Sequence, residues 1–568
     1  MYKQRVSSAT LVISTILNTP FEFTKEEFIE TDRKKINWAK NPDELKERWR
    51  KSLKFIVLNM KDSQDTKKIV DRLKKRYQII SKDVLGHSTD DIHALFLNAF
   101  ALSLDPHSSF LTPIDNAQFQ IDFSLKLVGI GATLMSPDGY TTIDAVVPGG
   151  AAAKDGRLKK GDKIIAVDSG DGTGMQDVID MDLDKVVQLI RGKEGTTVKL
   201  LVLRKSSNGL EVKRIQIDLV RAVVQIKDSE AKSDIMTLNS KKIGIINLPS
   251  FYIDYRDCQE NPLTCRSSAN DMAREIKKLK AQNVDGIVLD LRRNGGGDLS
   301  EVQKMVGLFI NDPIVTQIED RDHQVRSLDS DANALYTGPL AVLVSKYTAS
   351  ASEILAGAVQ DYGRGLILGD SRTFGKGTVQ TVIEIPGTSG RQTNGAIHVT
   401  IAKFFRPSGK SNQEKGVLSD VIIPDPLDGT DTGEDESDYA LPYTVIKPSR
   451  DFIPEQNLSP ILPNLQQMST NRVEREDSFK IIIEALKKAK TDKNTLVSLM
   501  EDSLKKAKNK KDAKKDDKKN KSDSNSDDSL PDFSMKVINK NDIELKEASA
   551  ILLDSIHLLD GKKDWTHE

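Results

Sequence analysis

Leu340-Ala-Val-Leu-Val344 is a run of five apolar residues between polar neighbours, too short for a helix and suited to a strand buried on both faces. Gly286-Ile-Val-Leu-Asp-Leu291 and Leu366-Ile-Leu368 have the same character. Around them the apolar spacing turns helical: Val302, Met305, Val306 and Phe309 after the first, then Ile354, Leu355, Ala358, Val359 and Tyr362 before the last. Gly363 is placed to close that second helix. With a strand at Gly244–Leu248 and a helix over Ser267–Lys280, strands and helices alternate from Lys242 to about Pro426. That alternation predicts an α/β domain.

Two chemically useful residues stand in this pattern. Ser350 sits at a strand-to-helix turn, and Lys376 is framed by Gly375 and Gly377. A serine hydroxyl attacks only when a base takes its proton. No histidine is near in sequence; a lysine can take its place, but only when neutral. Its pKa would have to fall from about 10.4 to about 7, which costs roughly 4–5 kcal/mol and needs burial. Thr373-Phe374-Gly375 and Thr378-Val379 are suitable walls. If residues 376, 378 and 380 share one face of a strand, Gln380 orients the Lys376 amine. The ordinary alternatives are a helix-capping serine and a lysine in a solvated turn.

The strings Ser350-Ala-Ser-Glu-Ile354, Gln360-Asp-Tyr-Gly-Arg364 and Thr373-Phe-Gly-Lys-Gly-Thr-Val-Gln380 resemble the signature of the C-terminal processing peptidases, and most closely the bacterial tail-specific type. The resemblance implies a Ser–Lys dyad assisted by a glutamine, here Ser350, Lys376 and Gln380. Asp361 matches an aspartate important in that family, and its place a helix away from Ser350 suggests a structural role. Asp370-Ser-Arg-Thr373 departs from the usual Glu-Pro-Thr. The family's strand-and-glycine turn supplies one oxyanion donor and the residue after the nucleophile the other. The matching positions are Gly296, with Gly297 as its neighbour, and Ala351.

Between Asp122 and about Arg204, Val128-Gly-Ile-Gly-Ala132, Pro148-Gly-Gly-Ala-Ala-Ala153 and Leu158-Lys-Lys-Gly-Asp-Lys-Ile-Ile165 look like a PDZ domain. Such a domain pairs a peptide's C-terminal strand with its own sheet edge and binds the carboxylate on backbone N–H groups. Gly129, Ile130, Gly131 and Ala132 fall at that cradle. A β domain used only for packing is the alternative.

The formal net charge of -1 gives no signal for nucleic acid, and no apolar run reaches membrane-span length. Cys258 and Cys265 lie close together without the partners a metal site needs, so either a disulfide or two thiols fits. Ala9–Leu17 is apolar, but no small-residue cleavage site follows it. Asn18–Thr24 resembles an internal stretch of the tail-specific type, so coding sequence upstream of Met1 is expected. Asp43–Met60 and the segment from Thr89 to the Asp105-Pro106 stop read as helices. Asp105-Pro-His107 recurs before the PDZ domain in the family, and His107 reads as structural. In the tail, Ser478–Ala489, Thr495–Lys506 and Leu545–Leu559 read as helices, and Lys505–Asp528 as a disordered charged linker.

The expected whole is a multidomain α+β protein. It comprises a helical N-terminal region (1–118), a PDZ β-domain (122–206), an α/β crotonase- or ClpP-like serine peptidase domain (235–434) and a helical C-terminal region (435–568). The resemblance implies a periplasmic, inner-membrane-associated endopeptidase acting on protein substrates with apolar C-termini. Some members of the family use a lipoprotein adaptor. No metal, cofactor or nucleic acid is expected. A non-catalytic PDZ scaffold and a ligand binder on the same fold, as in retinoid carriers, are the alternatives.

Overall fold

The computed structural model describes residues 1–61, 64–205, 212–225, 229–330, 333–387, 393–491, 495–501, 539 and 541–560. The chain divides into two compact units, Met1–Phe96 with Lys487–Phe533, and Leu97–Leu486 with Ser534–Glu568. The boundaries expected at residues 118 and 435 therefore fall inside the second unit.

In the first unit, helices Tyr2–Asn18, Pro42–Met60 and Thr66–Gly86 close around Ile16, Leu53, Val57 and Ile69. Asn41 and Asp65 cap the second and third helices by accepting first-turn N–H groups. The helix expected over Thr495–Lys506 is not formed at its start: Leu496–Ser498 is a strand antiparallel to Phe28–Glu30. The edge of Phe28–Glu30 captures it, helped by Thr31 N–H on Thr495 O (2.9 Å) and Leu499 N–H on Glu27 O (2.8 Å). Thr495 and Val497 are β-branched and fit an extended backbone, and tertiary pairing overrides a weak helical preference. The charged run Lys505–Asp528 lies outside the described residues.

In the second unit, the PDZ sheet runs in the spatial order Ala132–Met135, Thr141–Val146, Lys163–Asp168, Thr197–Lys205, Val212–Val220. Its core includes Ile143, Ile164, Val186, Val198 and Leu200. Ala222–Gln225 pairs with Lys126–Gly129 in a separate two-stranded sheet. Ala132–Met135, the strand after the glycine cradle, is an outer strand.

The peptidase domain is built on a six-stranded sheet. Lys232–Leu238 forms an antiparallel edge; Lys241–Asn247, Gly286–Asp290, Leu340–Val344, Leu366–Gly369 and Val421–Ile422 follow in parallel. The strand period of two sorts the side chains onto two faces. Ile246, Leu289, Val342 and Ile367 pack under helices Ser268–Ala281, Leu299–Val306 and Ala351–Tyr362. Ile245, Val288, Leu343 and Leu368 face the other way, onto Leu465, Ile551 and Leu552. The last two belong to Ile543–Asp560, the expected final helix, and each fully buried side chain contributes about 1.5–3 kcal/mol. A second sheet pairs Thr378–Pro386 with Thr393–Phe405, which pairs in turn with Ile314–Asp320 and with Ser109–Leu111. The lysine loop lies at the start of that hairpin.

Candidate active site

Ser350 is the N-cap of helix Ala351–Tyr362, with φ 59° and ψ -119°. A non-glycine residue avoids this conformation, which costs about 1–3 kcal/mol and persists only where its surroundings impose it. Three contacts do so. Ala349 N–H donates to Asn294 O (3.1 Å), Ser350 N–H donates to Glu353 Oε2 (2.9 Å), and Gly296 is pressed against the serine. A Cβ built on Gly296 would lie 2.8 Å from Ser350 Cβ.

Glu353 is the fixed point of the site, and the sequence reading missed it. It is fully buried, and its Oε2 accepts Ser350 N–H and Lys376 N–H, both at 2.9 Å. Its Oε1 accepts Gly375 N–H at 2.7 Å and Thr373 Oγ1 at 2.5 Å. Burial pushes its carboxyl up to about 7, against four donors that favour the charged form. The signal was visible as the Ser-x-x-Glu spacing of a capping box, Ser350 to Glu353. What the spacing does not show is that the same carboxylate also binds the lysine loop.

Lys376 stands in the loop before strand Thr378–Pro386 rather than in it, and the ladder slips between Val379 and Gln380. The extra residue of that slip is Ile401 on the partner strand, so Thr378 and Gln380 keep a common face, and only Lys376 falls outside the expected trio. Gln380 Nε2 donates to Thr378 Oγ1 (2.8 Å) and Thr400 Oγ1 (3.0 Å), and no hydrogen bond joins Gln380 to Lys376. Ser350 and Lys376 are both half-buried. Burial pulls the Lys376 amine below its usual range, while Glu434, Glu353 and Asp105 act in the opposite sense. Between these two described residues there is no hydrogen bond from hydroxyl to amine; such bonds often tighten only when substrate binds.

The glycine turn departs from expectation at one atom. Gly296 N–H donates to Asn294 Oδ1 at 2.9 Å, so this donor is occupied. Asn294 is fully buried, and its Nδ2 donates to Leu248 O at 2.9 Å. The N–H groups of Gly297 and Ala351 have no acceptor among the described residues. Asp361 accepts from Arg406 Nη2 and from Ser408 N–H (3.0 Å), away from Ser350. The divergent Asp370–Thr373 loop is tied down by Asp370 accepting Lys346 N–H (2.7 Å) and by Ser371 Oγ on Asp428 (2.7 Å).

In the PDZ cradle, Gly129, Ile130 and Gly131 are buried and Ala132 half-buried. Gly131 has φ 73°, and a Cβ there would meet Gly150 Cα at 2.9 Å, so glycine is required. Cys258 and Cys265 form a disulfide with Cα atoms 4.8 Å apart. No described helix is long and apolar enough to cross a membrane.

Comparison with known proteins fits this arrangement. The model of Peptidase family S41 matches residues 242–423, the PDZ domain 118–203, the tail specific protease N-terminal domain 1–114, and the C-terminal domain of tail specific protease 427–557. The chain is 34% identical over 520 residues to the tail-specific protease of Haemophilus influenzae, covering 90% of this chain and 72% of that protein. It is 28% identical over 340 residues to a carboxyl-terminal-processing protease of a Picosynechococcus species, covering 59% of this chain and 73% of that one. Among solved structures, the PDZ domain of a carboxy-terminal protease from Vibrio cholerae is 42% identical over 18% of this chain and all of that one, at a TM-score of 0.17. The chain belongs to the C-terminal processing peptidases of family S41, in the tail-specific protease group, and is a serine-type peptidase with a PDZ domain.

Proposed function

We propose that the protein cleaves polypeptides presented by their apolar C-terminal tails, with Ser350 as nucleophile and Lys376 as its base. The observation that carries this reading is the single buried carboxylate of Glu353, which accepts the N–H groups of both residues and so ties their loops to one point. Neutral Lys376 Nζ takes the Ser350 Oγ proton as the oxygen attacks the scissile carbonyl carbon. The Ala351 and Gly297 N–H groups face the oxyanion, and the lysine returns the proton to the leaving amine. Water then enters, gives a proton to Lys376 and attacks the Ser350 ester carbon; as the C–O bond breaks, Lys376 returns that proton to Ser350 Oγ and the acid is released. Gln380 Nε2 is held by two threonine hydroxyls, which leaves its Oε1 as the atom to accept from the Lys376 amine.

The tail is captured at Gly129–Ala132, where the outer strand Ala132–Met135 leaves an edge for an added peptide strand. Work in the periplasm, on exported proteins, is supported by the disulfide joining the chain's two cysteines, a bond suited to an oxidising compartment. A lipoprotein adaptor at the inner membrane belongs to this reading through family resemblance alone.

The test is cleavage of a reporter protein bearing an unstructured tail that ends in three apolar residues. Wild type should cut it, and Ser350→Ala, Lys376→Ala and Lys376→Arg should not. Arginine keeps the positive charge but never gives up its proton. Sustained cleavage by Lys376→Arg would remove the lysine from the role of base.

A further inference from the structure

The lysine loop is gripped on a second side, by residues outside the peptidase match. His107 precedes the PDZ domain, and Glu434 lies beyond the last sheet strand. His107 Nε2 is 2.7 Å from Glu434 Oε2. Glu434 Oε1 accepts Gln413 Nε2 at 2.8 Å, and Gln413 Oε1 accepts Gly377 N–H at 2.8 Å. Glu434 N–H donates to Phe374 O at 2.9 Å. The backbone on either side of Lys376 is thus bound to one network, in which Glu434 is fully buried and Gln413 nearly so.

The ionisable groups that act on the amine are Glu434, Glu353, Asp105 and His398, and His107 acts in turn on His398. Of the carboxylates, Glu434 acts most strongly in favour of the charged amine, ahead of Glu353 and Asp105. The three differ in how far their oxygens are already occupied. Glu353 holds four donors, and Asp105 holds Ser108 N–H and Oγ, His107 N–H and Thr400 Oγ1. Glu434 Oε2 has the His107 ring alone.

We propose that His107 is a positioning residue for Lys376: it occupies the one buried carboxylate oxygen that the lysine amine would otherwise take as its own partner. Without the ring, Glu434 Oε2 would be a buried, unsatisfied acceptor beside a primary amine, and the amine would keep its proton to satisfy it. The inference rests on Lys376 acting as base. It departs from the sequence reading, in which His107 is merely structural.

The experiment is the pH profile of kcat/KM for full-length protein on the tailed reporter, comparing wild type, His107→Ala, Glu434→Gln and the double variant. His107→Ala should move the rising limb upward by about one pH unit, so that roughly tenfold of activity is lost at neutral pH and regained in base. Glu434→Gln removes the competing charge while its amide can still meet both neighbours, so the limb should move downward. The double variant should follow Glu434→Gln, because a ring with no carboxylate to occupy has no further effect. Equal loss at every pH, or shifts of one sign in both single variants, would overturn the proposal. If His107→Ala does not fold, an unmoved limb in Glu434→Gln suffices to overturn it. Activity in Lys376→Arg would instead sink the underlying dyad, so the two failures are distinguishable.

Discussion

Two glycine turns, the one proposed to bind a peptide carboxylate and the one proposed to bind the oxyanion, are fixed in different ways. In the PDZ cradle, Ile130 O accepts Ala152 N–H (2.7 Å), Gly131 O accepts Val147 N–H (2.9 Å), and Gly131 packs on Gly150. Among the described residues its hydrogen bonds run from backbone to backbone, and the Ile130 side chain anchors it in the domain's core. In the peptidase turn, buried Asn294 binds Leu248 O and Gly296 N–H, while Asn294 O accepts Ala349 N–H (3.1 Å) and Ser352 Oγ (3.0 Å). The oxygens they serve explain the difference. A terminal carboxylate is stably charged and needs only to be captured. An oxyanion exists for the instant of reaction, and its donors help only if they are already oriented.

Three substitutions would break or sharpen that contrast. The largest effect is expected from Glu353→Gln. An amide has one acceptor oxygen where four donors now converge, so both the serine and lysine loops lose their common anchor. We expect kcat to fall by about 10³ and stability by about 1–3 kcal/mol, read from progress curves and denaturant unfolding. A kcat within a few-fold of wild type would show that the anchor is dispensable. Asn294→Ala comes next: the peptidase turn should loosen and kcat drop by about 10², with KM nearly unchanged. A change confined to KM would place the turn in binding instead of chemistry.

The smallest effect is expected from Gly131→Ala, where a strained φ and a clash with Gly150 distort the cradle. Affinity for a fluorescent peptide with a free apolar C-terminus should fall about tenfold, a loss of about 1.4 kcal/mol. A C-terminally amidated peptide should bind weakly to wild type and variant alike. Equal effects on the acid and the amide would mean that the cradle does not read the carboxylate.

The α/β alternation from Lys242 to Pro426 was legible because buried strands and amphipathic helices write their periods into the chain. So was the PDZ cradle, whose glycines are demanded by local φ and close approach. Ser350 and Lys376 stood out for the same local reasons, a strand-to-helix turn and a glycine frame. The expectations that failed were those needing register or a distant partner. Lys376 fell outside the strand that holds Gln380, whose Nε2 found Thr378 and Thr400, and an asparagine two residues back took the Gly296 N–H. Leu496–Ser498 became a strand because Phe28–Glu30, far away in sequence, offered an edge.

The sequence by itself determined the order of domains, the α/β character of the central one and the candidate pair Ser350 and Lys376, because periodicity and backbone demands are short-range properties of the chain. Only the tertiary structure decided which donors remain free, which carboxylates crowd the lysine, and that Glu353 and Glu434 grip its loop from two sides. Those are facts of buried polar groups, and a buried polar group must find whichever partner the fold brings to it, at any distance along the chain.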